Sequence, residues 1–328
     1  MQTLCHQTTK YDSKRTRSGR NKVERDFTRK RLLILAFDHR SSFTEKLFNI
    51  KGRPPTLEEK KEISEYKRTI FEGFKKAVDK GVSKRTGGLL VDEEFGADIL
   101  REAKTCGFVF AMPVEKSGQE EFDFQYGERY RTHIESFGPT YVKVLVRYNA
   151  EGDKNLNQRQ TTRLKMLGDY LHNTNKRFLF ELLVPPTSQQ LTKTGSSKKT
   201  YDLEVRPKLM VAAMKELQNA GIEPDIWKLE GVERESDAKS LVKQAQAGGR
   251  KAGVITLGRG ESKELVEKWL KTGSSIRGII GFAVGRTIFW DPLVELKTGK
   301  ISRQSAIDKI AQNYLDFVNL WERERRAD

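Results

Sequence analysis

The sequence has few cysteines, few histidines and no long apolar segment. Two cysteines among 328 residues, Cys5 and Cys106, cannot build a disulfide framework and fit a reducing cytosol. No apolar run approaches the roughly 18–20 residues that a membrane helix needs, and the amino terminus has no apolar signal-peptide core. We therefore expect a cytoplasmic protein that does not enter a membrane.

Histidine is too rare for a zinc centre made of several imidazoles. Of the four histidines, His6, His39, His133 and His172, only His39 lies near the end of a predicted strand. Because catalytic zinc is usually held by several such ligands, we predict no metal and no cofactor. Any carbon–carbon bond chemistry would then use an amine as its electron sink.

Positive charge is abundant and is concentrated at the amino terminus. The formal net charge is +16, and residues 1–30 carry nine Lys or Arg against three Asp or Glu. This segment has no apolar periodicity, which predicts a disordered basic tail before one domain over residues 31–328. Nucleic-acid binding by the tail is disfavoured, because aromatic residues are not interleaved with the basic ones. The positive charge of the remainder favours anionic substrates.

Eight short apolar segments alternate with helical patterns after residue 30. Eight βα units are what a closed parallel barrel requires, so we predict a single (β/α)8 TIM barrel of the α/β class. Residues 187–205, rich in Gly, Ser and Lys, are predicted to be a mobile loop at the catalytic face, either a lid or a tolerated insertion. The predicted strands cover residues 31–37, 86–92, 107–113, 141–148, 177–184, 225–230, 252–258 and 276–285.

Helix signals separate these strands. Thr56 and Glu59 form a capping-box pattern ahead of a long amphipathic helix, and Gly81 is expected to end it. Pro207 is expected in the first turn of another helix, and residues 261–273 form a third helical pattern.

Charged residues occupy strand positions that point to one face. Side chains alternate along a strand, so an inward Lys228 shares its face with Glu230, and an inward Lys143 shares its face with Arg147. Glu181 on the intervening strand completes a set from three consecutive strands. A structural ion-pair network is the alternative, but pairing seldom recovers the cost of burying charge. We favour a reactive site, with further charged residues after the first three strands: Asp38, Asp92, Glu94, Glu115 and Lys116.

Two Gly-Arg loops follow the last two predicted strands. In TIM barrels these loops often bind phosphate through backbone N–H groups and a helix start. Glycine lets the backbone approach an anion, and a guanidinium matches phosphate oxygens. The candidate phosphate-binding residues are Gly258, Arg259 and Gly260 in LGRG, and Gly285 and Arg286 in VGR.

Seven segments carry a family resemblance. They are AFDHR (36–40), LLVDEEFG (89–96), VEKSG (114–118), VKVLVRY (142–148), FLFELL (178–183), DIWKLE (225–230) and GFAVGRTIFW (281–290). On these segments, the chain from Arg31 to Trp321 resembles class I ketose-phosphate aldolases of the tagatose-1,6-bisphosphate aldolase type. It is most similar to the aldolase-like domain often fused to the sugar kinase of myo-inositol catabolism. That similarity implies cleavage of 2-deoxy-5-keto-gluconate 6-phosphate to dihydroxyacetone phosphate and malonate semialdehyde.

The resemblance also implies roles for individual residues. Lys228 would form the Schiff base with the substrate ketone, Glu181 would shuttle protons, and Lys143 would be the neighbouring lysine. We expect burial and the charge of Lys143 to favour the neutral amine of Lys228, and we expect a raised pKa for Glu181 as a proton donor. Asp38 would bind substrate or take the hydroxyl proton.

The remaining implied contacts are with the substrate and its phosphate. The resemblance places Arg40 at a substrate-binding position, Glu94 as a carboxylate below the substrate, and Gly285 with Arg286 at the phosphate. From strand parity, we add Arg147 and Glu230 to the substrate contacts. We also expect a homo-oligomer.

Two positions depart from the tagatose enzymes, which leaves alternatives open. His39 stands where those enzymes have glutamine, and the LGRG loop has Arg259 in place of a serine-containing turn. A tagatose-1,6-bisphosphate or sulfofructose-1-phosphate aldolase or transaldolase is therefore an alternative. Outside enzymes, the alternatives are a sugar-phosphate-binding protein and a nucleic-acid-binding protein.

Overall fold

Eight parallel strands follow the eight apolar segments, each paired with the next one along the chain, and the eighth closes on the first. The computed structural model describes residues 26–326, and every strand lies within its predicted segment, which confirms the (β/α)8 barrel. The strands are β1 (Leu32–Ala36), β2 (Gly87–Leu90), β3 (Val109–Pro113), β4 (Tyr141–Arg147), β5 (Phe178–Leu183), β6 (Ile226–Glu230), β7 (Gly253–Leu257) and β8 (Ile279–Val284).

Helices cover the outside of the barrel. The capping box before α1 is present, because Thr56 accepts the Glu59 N–H and the Glu59 carboxylate accepts the Thr56 N–H. The helices are α1 (Leu57–Asp79), α2 (Glu93–Thr105), α3 (Tyr130–Phe137), α4 (Lys154–Asn173), α5 (Ser188–Lys193), α6 (Lys198–Thr200), α7 (Arg206–Asn219), α8 (Glu235–Ala245), α9 (Lys263–Ser274), α10 (Arg286–Lys297) and α11 (Arg303–Arg326). Pro207 lies in the first turn of α7 as expected.

The alternation of side chains along the strands produces two apolar cores. Trp227 and Leu229 of β6 pack outward against the helices, whereas Ile226 packs inside the barrel, as strand parity predicts. The same alternation turns Lys143 and Glu181 inward beside Lys228. The barrel interior is thus apolar toward the amino-terminal ends of the strands, and the charged interior residues lie at their carboxyl ends.

Phe27 closes the lower end of the barrel. Its side chain is fully buried among the interior residues, its ring centroid is 6.3 Å from that of Tyr141, and its N–H donates to the Lys251 carbonyl at 2.9 Å. The packed chain therefore begins before residue 31, where we placed the domain boundary. Residues 1–25 of the predicted tail lie outside the described residues.

Residues 187–205 are helical rather than the predicted loop. They contain α5, α6 and a wide helical turn at Tyr201–Val205. Thr187 and Gln190 form a second capping box, which starts α5. Tyr201 is buried, and its hydroxyl donates to the Val184 carbonyl at 2.8 Å, which anchors the segment to the end of β5. The Gly, Ser and Lys content predicts a loop, but the Thr187–Gln190 capping box starts a helix in this segment.

Among the helices of residues 26–326, none has both the length and the apolar character needed to cross a membrane.

Candidate active site

A cavity of about 250 Å³ opens at the carboxyl ends of the strands. Charged side chains line its base and both sides, and they come from loops and strands that are distant in sequence. The charged or potentially charged lining residues are Asp38, His39, Arg40, Glu115, Lys116, Glu121, Lys143, Arg147, Glu181, Lys228, Arg259 and Arg286.

Lys228 and Glu181 form a buried ion pair at the base of the cavity. They are directly opposite each other in the register of β5 and β6, and Lys228 Nζ lies 2.9 Å from Glu181 Oε2. Only 2 % of the Lys228 side chain is exposed. An amine so enclosed can be reached only from the cavity, next to a carboxylate that can accept its proton.

Lys143 holds three carboxylates around its ammonium group. Its Nζ donates to Asp38 at 2.8 Å and to Glu115 at 2.7 Å, and it lies 3.0 Å from Glu181 Oε2. Burial alone would lower the pKa of Lys143, but the three carboxylates raise it well above its usual value. Lys143 is therefore a fixed positive charge beside Lys228.

Glu181 has a lowered pKa, so our expectation of a raised pKa is wrong. Burial pushes its pKa upward, but the positive charges of Lys143 and Lys228 outweigh burial and lower it. The same balance, with the same two lysines, holds the pKa of Asp38 far below its ordinary value. Both carboxylates are therefore ionised at neutral pH in the free protein.

Glu115 belongs to this cluster, whereas the sequence alone indicates only that it follows β3. Besides accepting from Lys143, its backbone carbonyl accepts from Arg40 at 2.8 Å, and its carboxylate lies 3.8 Å from the same guanidinium. Burial raises the pKa of Glu115. Its second oxygen, Oε2, is buried without a hydrogen-bond partner in the described part of the chain.

The phosphate-binding candidates lie at the side formed by β7, β8 and β1. Arg286 is the first residue of α10, and its guanidinium donates to the Arg259 carbonyl at 2.7 Å. Its Nε is buried and lacks a hydrogen-bond partner among residues 26–326. Gly260 and Gly285 also line the cavity, whereas Gly258 lies behind it against Val284.

Arg259 is already engaged by three carboxylates. Its guanidinium lies 3.1 Å from Asp202, 3.1 Å from Glu230 and 3.2 Å from Glu261. Arg259 also has a left-handed backbone, with φ of 58°, which presents its carbonyl to Arg286. Arg286 is thus the more available of the two arginines for an anion.

His39 stands beside Arg286 in the cavity wall. Burial is the main cause that lowers its pKa to about 4, with Asp38 opposing and Arg286 adding to the decrease. Its ring makes an edge contact with Phe289 at 6.1 Å, and its Nδ1 has no partner within the described chain. At neutral pH the imidazole is uncharged and is available for a polar contact in the cavity.

Three sequence candidates have other surroundings. Glu94 lies outside the cavity, 3.6 Å from Lys60, and Glu230 lies beneath Arg259, where it accepts the Val184 N–H at 3.0 Å. Arg147 does line the cavity, and it donates to the Gln119 carbonyl at 2.6 Å. The candidates that do not line the cavity are Glu94, Glu230 and Gly258. The structure brings the others together there: Asp38, Arg40, Lys143, Arg147, Glu181, Lys228, Arg259, Gly260, Gly285 and Arg286.

These features define a (β/α)8 barrel with a buried lysine–glutamate–lysine centre at the carboxyl ends of its strands. A sequence family described as "Uncharacterized protein conserved in bacteria (DUF2090)" matches residues 6–325, and the chain belongs to this family. No curated protein matches the sequence significantly.

The solved structures that share the fold include two aldolases. One is a fructose-bisphosphate aldolase from Plasmodium falciparum in a ternary complex with TRAP and a small-molecule inhibitor; it has a TM-score of 0.61 and 16% identity over 90% of this chain and 92% of that chain. The other is a Schiff-base-forming fructose-1,6-bisphosphate aldolase, with a TM-score of 0.53 and 14% identity over 88% of this chain and 94% of that chain. At these identities the likeness establishes the barrel fold.

Proposed function

We propose that the chain is a class I aldolase that cleaves a phosphorylated ketose or keto-sugar acid through a Schiff base on Lys228. The main observation is the buried Lys228–Glu181 pair, 2.9 Å apart, beside the fixed charge of Lys143 in a cavity. A Schiff-base lysine needs an enclosed amine and a nearby proton acceptor. The Schiff-base chemistry named for one fold neighbour supports the same assignment.

Imine formation follows from the resting ion pair. Lys228 transfers a proton to Glu181, which leaves a neutral amine and a carboxylic acid, and the amine attacks the substrate carbonyl carbon. A proton moves from the new C–N nitrogen to the carbonyl oxygen, giving a neutral carbinolamine. Glu181 then protonates the hydroxyl, water leaves, and the iminium ion forms with Glu181 again ionised. Lys143 keeps its charge throughout, because three carboxylates raise its pKa.

Carbon–carbon cleavage uses the iminium as the electron sink. Glu181 or Asp38 removes the proton from the substrate hydroxyl, the bond electrons move into the iminium, and an aldehyde leaves. The remaining enamine takes a proton at carbon, and water hydrolyses the resulting imine to release dihydroxyacetone phosphate. Arg286 and the N-terminus of α10 orient the phosphate, so the ketone meets Lys228 in a defined geometry.

Arg147 supports a substrate with a second negative group. It lies on β4, and β4 is opposite β8, which precedes Arg286, in the closed order of eight strands. A linear substrate with phosphate at Arg286 would therefore extend its far end toward Arg147. The carboxylate of 2-deoxy-5-keto-gluconate 6-phosphate fits that place and is our first choice. Tagatose 1,6-bisphosphate and sulfofructose 1-phosphate present anions at the same end.

The test is reductive trapping with sodium borohydride and each of these three sugars. We expect a covalent adduct on the peptide containing Lys228 and release of triose phosphate, both undiminished by EDTA. Lys228→Met should abolish the adduct, whereas Lys165→Met, on a surface ion pair with Asp169, should not. Binding of the sugars without an adduct would indicate a sugar-phosphate sensor, and an adduct on another lysine would reject the assignment of Lys228.

A further inference from the structure

A third buried lysine, besides Lys143 and Lys228, lies behind the active site on the helix side of β1. Lys67 belongs to α1 and is completely inaccessible to solvent. Its Nζ donates to the carbonyls of Phe37 and His39, each at 3.0 Å, and to the carboxylate of Asp92. All three ammonium hydrogens therefore have acceptors, and two of those acceptors are the backbone groups on either side of Asp38.

We infer that Lys67 is a positioning residue, which holds the segment from Phe37 to Arg40 so that Asp38 meets Lys143. Phe37–Arg40 lies just beyond the end of β1, where ladder pairing no longer defines the path of every carbonyl. The Lys67 ammonium fixes two points of this path, the carbonyls of Phe37 and His39, from the helix side. Asp38 turns the opposite way, and its carboxylate accepts from Lys143 at 2.8 Å.

The surroundings of Lys67 connect two active-site loops. Its Nζ lies 5.0 Å from the centre of the Phe43 ring and 5.5 Å from that of Phe95. Phe43 belongs to the turn after Arg40, and Asp92 caps the start of α2 by accepting the Phe95 N–H at 2.9 Å. One ammonium group thus joins the loops that follow β1 and β2.

Energetics argue against a role in stability alone. Removing two charges from water costs several kcal/mol per ion, and an apolar pair of similar volume is often as stable or more so. Burial of the Lys67–Asp92 pair thus costs free energy, and Lys67 donates to the carbonyls that flank Asp38. A positional error of about 1 Å in a catalytic group can lower the rate about 100-fold. Correct placement of Asp38 would therefore explain why the Lys67–Asp92 pair is present.

The test compares variants that differ only in the contact with these carbonyls. Asp92→Asn removes the ion pair but keeps an N-cap for α2, and the buried Lys67 then becomes a neutral amine whose two N–H groups can still donate to the Phe37 and His39 carbonyls. Adding Lys67→Met to Asp92→Asn removes those donors without leaving a buried unpaired charge. Tyr314→Phe is the matched control, because the Tyr314 hydroxyl donates to the Leu33 carbonyl at the other end of β1. If the double variant does not fold, Lys67→Gln with Asp92→Asn replaces it.

Two measurements decide the outcome: turnover, and amide hydrogen exchange over residues 37–44. Relative to Asp92→Asn, the double variant should lower kcat about 10- to 100-fold with KM changed less, and exchange at 37–44 should rise. Tyr314→Phe should change neither quantity at this loop. Unchanged kcat and unchanged exchange would reduce Lys67 to a stabilising residue. The kinetic part rests on the proposed aldolase activity; if the native chain cleaves none of the sugars, exchange at 37–44 alone decides for or against the inference.

Discussion

Glu181 Oε2 lies 2.9 Å from Lys228 Nζ, its direct partner on the neighbouring strand, and the same oxygen is 3.0 Å from Lys143 Nζ. One carboxylate oxygen therefore bridges the two lysine side chains. In the proposed reaction this carboxylate accepts a proton from Lys228, and its attraction to both lysines then weakens. In the proposed reaction Lys228 is the lysine that becomes neutral, because Lys143 retains Asp38 and Glu115 as partners.

Replacing Glu181 with glutamine should separate binding from chemistry. The amide has the size of the carboxylate but cannot accept the Lys228 proton, so we expect kcat to fall about 10²- to 10⁴-fold and reductive trapping to slow. Glu216→Gln is the control, since Glu216 pairs with Tyr148 and Lys154 away from the cavity. Steady-state kinetics and the rate of adduct formation measure both effects; a Glu181→Gln variant within threefold of native kcat would remove Glu181 from the proton path.

His39 should make stability depend on pH between neutral and mildly acidic conditions. Its pKa is about 4 in the folded chain and about 6.5 when unfolded, so the unfolded chain binds the proton first. Its contribution is complete above pH 6.5 and is lost as the pH falls toward 4. We expect a loss of about 1–2 kcal/mol between pH 8 and pH 5. Urea unfolding at the two pH values should show this loss in the native chain and a smaller one in His39→Gln; equal losses would contradict the assignment to His39.

Arg286→Ala should weaken substrate binding more than turnover. A charge-assisted contact to phosphate contributes about 1.5–3 kcal/mol, so KM for a phosphorylated ketose should rise roughly 10- to 100-fold. Arg277→Ala removes an exposed arginine before β8 and should leave KM unchanged. An unchanged KM in Arg286→Ala would place the phosphate elsewhere, and Arg259 would be the next candidate.

Gly285→Ala should distort the junction of β8 with β1. An added Cβ would lie 2.2 Å from the Ala36 carbonyl oxygen, which is backbone and cannot rotate away. We expect a loss of about 1–3 kcal/mol in the free energy of unfolding, together with reduced activity. Gly168→Ala in α4 is the matched control, because its new Cβ would meet only Phe178 at ordinary contact distance and should gain up to about 1 kcal/mol. Thermal or urea unfolding of both variants measures the difference.

The parts of the site that depend on strand alternation could be predicted from sequence. Period-two alternation is local, so the inward direction of Lys143, Glu181 and Lys228 follows once their strands are recognised. The capping boxes at Thr56 and Thr187 are equally local, and the second one was present in the sequence of the segment we predicted to be a loop.

Side-chain partners and pKa directions could not be predicted in this way. The pKa of Glu181 is set by two lysines that are distant in sequence, and their charges outweigh burial. Arg259 faces Asp202 because the helical insert packs beside it, which no local pattern indicates. Lys67 did leave a signal: it falls four residues after Ile63 and three before Ile70, on the buried face of α1.

Because Phe27 closes one end of the barrel, the structure constrains the order in which products leave. Interior residues of the described barrel, including Ile226 and Leu179, fill the space between that end and Lys228. Substrate, aldehyde product and the water that hydrolyses the imine must then use the same opening at the strand ends. In the proposed reaction, water can reach the carbon bound to Lys228 only after the aldehyde has left through that opening. Departure of the aldehyde must therefore precede release of dihydroxyacetone phosphate.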